Sequence, residues 1–207
     1  MRLDAFWSSN EWRRYEVEYG DAPGTRTALL ASALWTTRVL DLRPDEATLW
    51  RGVRRSYRGL VNRLTKDPQF ENVIATPAMF LDPCRSLQDR VAPAWARPVA
   101  SWQVQAEWIE QGVGVCLLAQ RRSQLVAFAY AIRHQAWAYY GFGKSAEPNA
   151  HHALLWALIR RLKADGTTWL ELGWQGQATD PKGQQIEFYK RGWGGTDMAF
   201  NTELFDA

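Results

Sequence analysis

Glu171 and Lys190 are the residues whose types and settings best suit proton transfer and charge stabilisation. Glu171 ends a short apolar stretch at 168–172 that predicts a buried strand. Burial raises the pKa of a carboxyl group, and such a carboxylate can take a proton from an amine. The ammonium of Lys190 can stabilise an oxyanion or bind a phosphate. The alternatives are a carboxylate paired with an arginine, and a solvated lysine beside Arg191.

One histidine and two tyrosines are further candidates. His152 is predicted in the first turn of a helix, where an imidazole tends to stay neutral and could act as a base. The alternative is a capping or half-buried polar residue, and His151 is expected to face solvent. Tyr139 and Tyr140 lie on the two faces of one predicted strand, so one should face the core and the other a cleft. Core packing is the alternative for each.

Binding residues are predicted on a helix face and after a strand. The helix face carries four arginines: Arg51, Arg54, Arg55 and Arg58. It is a candidate contact for the phosphates of tRNA, a nucleotide-sugar or a lipid-linked pyrophosphate. The alternative is a solvated charged face. Trp174 follows the strand that contains Glu171, and we expect it to line a cleft because ligand sites border the carboxyl ends of strands.

The elements that position these residues follow from the hydrophobic pattern. The pattern predicts strands at 12–19, 26–33, 35–42, 113–120, 124–134, 136–141, 168–172 and 196–205. It predicts helices at 44–64, 101–111, 150–165 and 184–191, the third capped by Asn149, and an irregular, proline-rich connection with short helical pieces at 66–98. This order predicts an α/β fold with a mixed, mostly antiparallel sheet and helices on both faces. No glycine-rich phosphate loop follows a strand, so a doubly wound nucleotide fold is not expected.

Length and composition narrow the class of protein. The chain has 207 residues, which favours one domain spanning 1–207. Its 46% hydrophobic and 23% charged residues are typical of a folded globular protein. No apolar run approaches the ~20 residues that span a bilayer, and no signal sequence is visible, so we expect a cytoplasmic protein. The two cysteines and three histidines are not spaced like metal ligands, so no metal is implied.

Several short motifs, from about residue 35 to the end, resemble the Fem-type (FemAB-like) aminoacyltransferases, a branch of the GNAT acyltransferase superfamily. That family shows an aromatic strand with glycine, a helix, an acid-Leu-Gly strand end and a Phe-Lys pair followed by Phe-Gly. The matching residues are Ala138-Tyr139-Tyr140-Gly141, His152-Ala153-Leu154-Leu155-Trp156, Leu170-Glu171-Leu172-Gly173, Tyr189-Lys190 and Trp193-Gly194. Leu49-Trp50 and Tyr57-Arg58 resemble the family's first long helix.

The resemblance implies a GNAT-like fold and transfer of an acyl or aminoacyl group to the amine of a small molecule, peptide or amino sugar. It implies that Lys190 supports the carbonyl or the anionic end of the donor, that Tyr189 lies in the substrate site, and that Arg58, with Arg55, holds an anionic group. Glu171 or His152 would be the base.

The donor stays open, because the loop at 143–149 lacks the pyrophosphate motif of the acyl-CoA superfamily. Aminoacyl-tRNA, acyl-CoA and a carrier-bound acyl group are the candidates, so tRNA or a carrier protein is a candidate partner, and no tightly bound cofactor is expected. Larger relatives have two such domains, and a homodimer would supply the second. The alternatives are an acyl-CoA-dependent N-acetyltransferase with a divergent phosphate loop, and a non-catalytic module that binds RNA or protein.

Overall fold

Seven strands form one sheet in the part of the chain that this computed structural model describes, residues 34–176 and 178–201. The strands are β1 (Leu34–Asp41), β2 (Phe70–Ile74), β3 (Gly114–Arg121), β4 (Gln124–His134), β5 (Trp137–Ser145), β6 (Trp169–Trp174) and β7 (Thr196–Asn201). Their order is β2-β3-β4-β5-β6-β1-β7, and every neighbouring pair is antiparallel except β5 and β6. The predicted mixed sheet is confirmed, while the strands predicted at 12–19 and 26–33 lie outside the described residues.

Helices cover both faces of the sheet, as predicted. They are α1 (Glu46–Gly52), α2 (Arg55–Thr65), α3 (Pro77–Val91), α4 (Val99–Glu110), α5 (Ala150–Ala164) and α6 (Pro181–Arg191), with a short 3-10 helix at Pro93–Trp95. Helices α2 and α5 bury residues such as Val61 and Leu154 against one face. Helices α3 and α4 bury Phe80 and Trp102 against the other. The central strands are therefore covered twice, which explains their nearly continuous apolar sequences.

The helix predicted over 44–64 is broken into two. Val53 and Arg54 have extended backbone angles, with ψ of 134° and 135°. The backbone N–H of Arg54 donates to the carbonyl of Gly192 at 2.8 Å, which ties this break to the end of α6. Hydrophobic spacing continues across the break, so the pattern alone does not reveal it. The break sets the direction of α2 and brings Tyr57 against Gly192.

The segment 66–98, predicted as irregular with short helical pieces, contains strand β2 and the 15-residue helix α3, so the prediction missed a strand and a long helix. Helix α3 begins with Thr76, whose side chain accepts from the N–H of Met79, and with Pro77 at its first position. Pro83 lies inside the helix and is exposed. Cys84, next to it, is fully buried in the core. The apolar contacts of α3 thus outweigh the helix-breaking tendency of Pro83.

The parallel strands β5 and β6 separate after a short contact. They pair only at Trp137 with Trp169, Ala138 with Leu170, and Tyr139 with Glu171. Beyond these positions β5 continues beside β4, and β6 continues beside β1. The strands leave a cleft at their carboxyl ends. Ligand sites in open sheets form at such places.

Gly192 makes the close packing of α6 on α2 possible. An added Cβ at Gly192 would lie 2.6 Å from Cζ of Tyr57, whereas an added Cβ at Gly59 on α2 meets nothing within 4 Å. We expect Gly192→Ala to lower the free energy of unfolding by about 1–3 kcal/mol through overpacking. Gly59→Ala should raise it by about 0.5–1 kcal/mol because alanine favours a helix. Denaturant unfolding of both variants tests this, and a stabilised Gly192→Ala would contradict it.

Candidate active site

Glu171 is buried at the point where β5 and β6 separate. Its side chain is only 1% exposed. Oε1 accepts a hydrogen bond from the Thr37 hydroxyl at 2.7 Å, while Oε2 is buried without a hydrogen-bond partner among the described residues. Burial raises the pKa of Glu171 to about 7, although the Thr37 bond and the charge of Lys190 act in the opposite direction. The carboxyl group therefore changes protonation near neutral pH, and one of its oxygens has no hydrogen-bond partner among the described residues.

Lys190 and Tyr139 meet over the backbone of Gly173. Gly173 has a φ of 80°, and an added Cβ there would lie 3.2 Å from Nζ of Lys190 and 3.6 Å from Oη of Tyr139. Burial lowers the pKa of Lys190 to about 8, while the carboxylates of Glu171 and Glu187 act to raise it. At neutral pH the amine is mostly protonated. The glycine therefore leaves space for an ammonium and a hydroxyl beside the cleft.

The pair Glu171 and Lys190 has the properties that amide bond formation needs. A carboxylate with a pKa of about 7 accepts a proton from an attacking amine near neutral pH. An ammonium held in a half-buried position stabilises negative charge on a carbonyl oxygen more strongly than it would in water. Each group also limits the pKa shift of the other through its charge. Of the two tyrosines of β5, Tyr139 is the one beside this pair.

Tyr140 and His151 form a separate contact. The Tyr140 hydroxyl and Nε2 of His151 are 2.6 Å apart, and Nδ1 of His151 is buried without a hydrogen-bond partner among the described residues. Burial lowers the pKa of His151 to about 4, with smaller effects from the charges of His152 and Lys144, so this ring is neutral at pH 7. The expectation that His151 faces solvent was wrong. Strand β5 places the Tyr140 hydroxyl beside the start of α5, where it contacts His151.

His152 lies in an aromatic group made of Tyr57, His152, Tyr189 and Trp193. The ring centroid of Tyr57 is 4.5 Å from that of His152, 5.7 Å from that of Tyr189 and 5.5 Å from that of Trp193. Burial lowers the pKa of His152, and Nδ1 has no hydrogen-bond partner among the described residues. The group joins α2, α5 and α6, so His152 occupies the half-buried polar setting that was the alternative to a catalytic one.

The arginine face divides into two kinds of residue. The guanidinium of Arg54 lies 3.7 Å from the ring centroid of Phe188 and donates to the Tyr57 hydroxyl at 3.1 Å, and Arg51 donates to Thr48 at 2.8 Å. Both guanidiniums therefore have partners within the chain, and their part in a phosphate-binding face stays a prediction.

The other two arginines keep the predicted role available. Arg55 is exposed and Arg58 half-exposed, and neither side chain makes a hydrogen bond or ion pair with the residues described. Both lie in the first turns of α2, close in sequence to Tyr57 of the aromatic group. The side chain of Trp174 is not among those described.

The loop before α5 is a poor cradle for a pyrophosphate. Three of its N–H groups already donate to carbonyls within the chain, those of Ala146, Ala150 and His152. Pro148 has no N–H, and Glu147 adds a carboxylate at the same place. Asn149 precedes the helix with a φ of 66° but makes no capping hydrogen bond through its side chain, contrary to the prediction. A phosphate at this helix start would find few free donors and a negative charge.

A cavity of about 560 Å³ lies elsewhere, between α1, α5 and the start of β7. It is lined by apolar and aromatic residues that include Trp156, Trp169 and Trp193, and its one carboxylate, Asp41, is bound by Arg43. It does not contain Glu171 or Lys190, so we place the chemistry at the cleft. Among residues 34–176 and 178–201, no cluster of His, Cys, Asp and Glu could hold a metal ion, and no helix could cross a membrane.

Sequence reasoning missed two contributors to the site. Thr37 binds Glu171 from β1, and nothing in the sequence distinguishes it from other strand threonines. Lys144 lies on β5, and its only sequence signal is that lysine is rare in this arginine-rich chain.

Comparisons with known proteins address the fold. No protein-family model matches the chain, and no curated protein has a similar sequence. FemX is 10% identical over 78% of this chain and 59% of its own length, with a TM-score of 0.67. L-PGS from Bacillus licheniformis is 12% identical over 80% of this chain and 59% of its own, with a TM-score of 0.57. The chain thus spans about three fifths of the length of each.

A third solved structure has a similar fold. It is the GCN5-related glucosamine N-acetyltransferase region of a fungal multi-domain GH3 β-N-acetylglucosaminidase, 12% identical over 87% of this chain and 22% of its own, with a TM-score of 0.52. At these identities the comparisons concern the fold. The described residues have a fold similar to those of FemX and of the GCN5-related region, as the sequence resemblance implied.

Proposed function

We propose that this protein is an N-acyl or N-aminoacyl transferase whose reaction takes place in the cleft between β5 and β6. The observation that carries the proposal is the pairing of Glu171, with a pKa of about 7 and an oxygen without a partner, with the ammonium of Lys190. The fold similarity to a glucosamine N-acetyltransferase region supports the same class of reaction.

The reaction assigns one task to each group. The nitrogen of the acceptor amine attacks the donor's ester or thioester carbonyl carbon, and Glu171 takes a proton from that nitrogen. The ammonium of Lys190 stabilises the negative charge that develops on the carbonyl oxygen. The bond from carbon to the donor's oxygen or sulfur then breaks, and the leaving atom takes up the proton from Glu171. The C–N bond formed and the C–O or C–S bond lost complete the transfer.

Tyr139 is the remaining polar group at this point, and its hydroxyl lies within reach of the same oxyanion. Arg55 and Arg58 on α2 are candidates to hold an anionic part of the acceptor. The Tyr140 hydroxyl contacts His151, so we assign Tyr140 a role through that histidine. We assign Tyr189 and His152 to the aromatic group, which we place on the side of the cleft that faces α2. The acceptor is the amine of a small molecule, peptide or amino sugar.

The test combines binding with transfer. Intrinsic tryptophan fluorescence is followed while acetyl-CoA, aminoacylated tRNA and uncharged tRNA are added separately at one salt concentration. Each donor that binds is then incubated with a panel of amines, and new amides are detected by mass spectrometry. The proposal expects at least one donor to give an amide with the wild-type protein. Equal affinity for aminoacylated and uncharged tRNA, with no amide formed, would overturn the proposal in favour of a binding module.

A further inference from the structure

Lys144 is a half-buried cation without a counter-ion among the described residues. It lies near the end of β5, on the strand that borders the cleft. Its ammonium makes no hydrogen bond or ion pair with any residue in the described parts of the chain. Burial lowers the pKa of Lys144, and the charges of Lys182 and Arg97 lower it further. A charge in such a position is costly unless an anion accompanies it.

Two more cations approach Lys144 from different elements. The guanidinium of Arg97, in the segment before α4, lies 4.2 Å from the ring centroid of Phe142. Phe142 and Lys144 are two residues apart on β5 and extend from the same face of the strand. Lys182 lies in the first turn of α6, the helix that carries Lys190 at its other end. The charges of Arg97 and Lys182 both act on Lys144, so the three basic residues lie near one another although they come from three different parts of the chain.

The carboxylates near this cluster have other partners. Asp180 accepts the N–H of Gly183 at 2.9 Å as the cap of α6, and Glu187 accepts the N–H of Ala178 at 2.9 Å. Glu147, three residues after Lys144, is paired with Arg121, which also binds Asp67. The positive charge of Lys144 is thus not neutralised by these acids.

We propose that Arg97, Lys144 and Lys182 form a binding site for a phosphate or pyrophosphate group of the acyl donor. The inference rests on the proposed transfer reaction, because it assigns the site to the donor of that reaction. The loop before α5 offers few free N–H groups for a phosphate. We therefore assign phosphate binding to the side chains of this cluster instead. Lysine and arginine side chains bind phosphate through charge-assisted hydrogen bonds. Such a phosphate belongs either to CoA or to the 3′ end of an aminoacyl-tRNA.

Calorimetric titration with inorganic pyrophosphate tests the site directly in the full chain. We expect saturable binding by the wild-type protein, and binding weakened about tenfold or more in Lys144→Met and Lys182→Met. Lys66→Met, at the end of α2 on the opposite face of the sheet, is the matched control and should bind like the wild type. Without ligand, Lys144→Met should melt no lower than the wild type, because it removes an uncompensated charge. Absence of binding, or binding unchanged in Lys144→Met, would overturn the site.

Competition identifies the source of the phosphate. CoA and a short RNA hairpin ending in CCA are each added to the pyrophosphate complexes of the wild type and of the Lys66→Met control. The compound that displaces pyrophosphate from both proteins names the donor class. Displacement by neither overturns the assignment to the donor. Lys190→Met should keep pyrophosphate binding and lose transfer. If pyrophosphate binds through Lys144 but the protein transfers no acyl group, only the proposed transfer reaction is contradicted. If the rate of transfer is the same in Lys144→Met as in the wild type, only the phosphate site is contradicted.

Discussion

Lys190→Met is expected to lower the kcat for acyl transfer by about 10²- to 10³-fold, with little change in KM. Methionine keeps the length and apolar contacts of the lysine stem beside Gly173 but removes the ammonium. The loss falls on kcat because the carbonyl oxygen becomes charged only on the way to the transition state. Steady-state kinetics with the donor and amine found by the screen measure both constants.

The controls separate this charge from general effects on the fold. Lys66→Met removes an exposed lysine at the end of α2 and should leave kcat unchanged. Lys190→Arg keeps a positive charge and should recover part of the lost rate, though a guanidinium fits the space over Gly173 less well. If Lys190→Met kept the wild-type kcat, Lys190 would have no role in the reaction.

Glu171→Gln is expected to change the way stability depends on pH. The pKa of Glu171 rises from 4.5 to about 7 on folding, so between these values the folded protein binds more protons than the unfolded chain. Its contribution to the free energy of unfolding is present below pH 4.5 and is lost as the pH rises through about 7. The lost contribution amounts to a few kcal/mol. Glutamine does not titrate, so the variant lacks this loss.

The comparison must be made between wild type and variant, because His151 acts in the opposite sense. Its pKa falls to about 4 from 6.5, so it makes the protein more stable as the pH rises through that window. Unfolding in urea at a series of pH values gives the difference between the two proteins, which should shift in favour of Glu171→Gln from pH 4.5 to above 7. Glu110→Gln, at the exposed end of α4, is the matched control and should give a flat difference.

The same ionisations shape the rate. We expect kcat/KM of the wild type to rise as the pair loses its first proton near pH 7 and to fall as it loses its second near pH 8. In Glu171→Gln the rising limb should disappear together with most of the rate. A rising limb that persists in this variant would assign the base to another group, and His152 would be the next residue to replace.

Much of the sheet could be predicted from the sequence, because β3 and β4 are long apolar runs with a tight turn between them. Helix α3 could not, since Pro77 and Pro83 were both interpreted as breakers although one begins the helix and the other faces outward. Local sequence describes what a residue prefers, and the burial of Phe80 and Cys84 of α3 in the core decided the outcome here.

The candidate site was predictable residue by residue but not as an arrangement. An acid in a short apolar strand is enough to select Glu171, and the Tyr189-Lys190 motif selects Lys190. The hydrogen bond from Thr37 and the contact of His151 with Tyr140 depend on strand pairing, and no spacing in the sequence records it. The four arginines follow one helical pattern, yet the break at Val53 and Arg54 separates their roles.

The order of the strands has a consequence for how the protein folds. Strands β2, β3, β4 and β5 follow one another in the sheet in the same order as in the chain. Strand β1, in contrast, pairs with β6 and β7, which come after all of these strands in the sequence. Thr37 and Glu171, which meet across that late junction, are 134 residues apart. Because closing a long loop costs entropy before its contacts form, we expect the β3–β4–β5 hairpins to be protected from hydrogen exchange first during refolding and β1 last. Pulse-labelling of β1 amides would test this, and early protection of β1 would contradict it. The carboxyl group of Glu171 would then acquire its raised pKa only as the final strands come together.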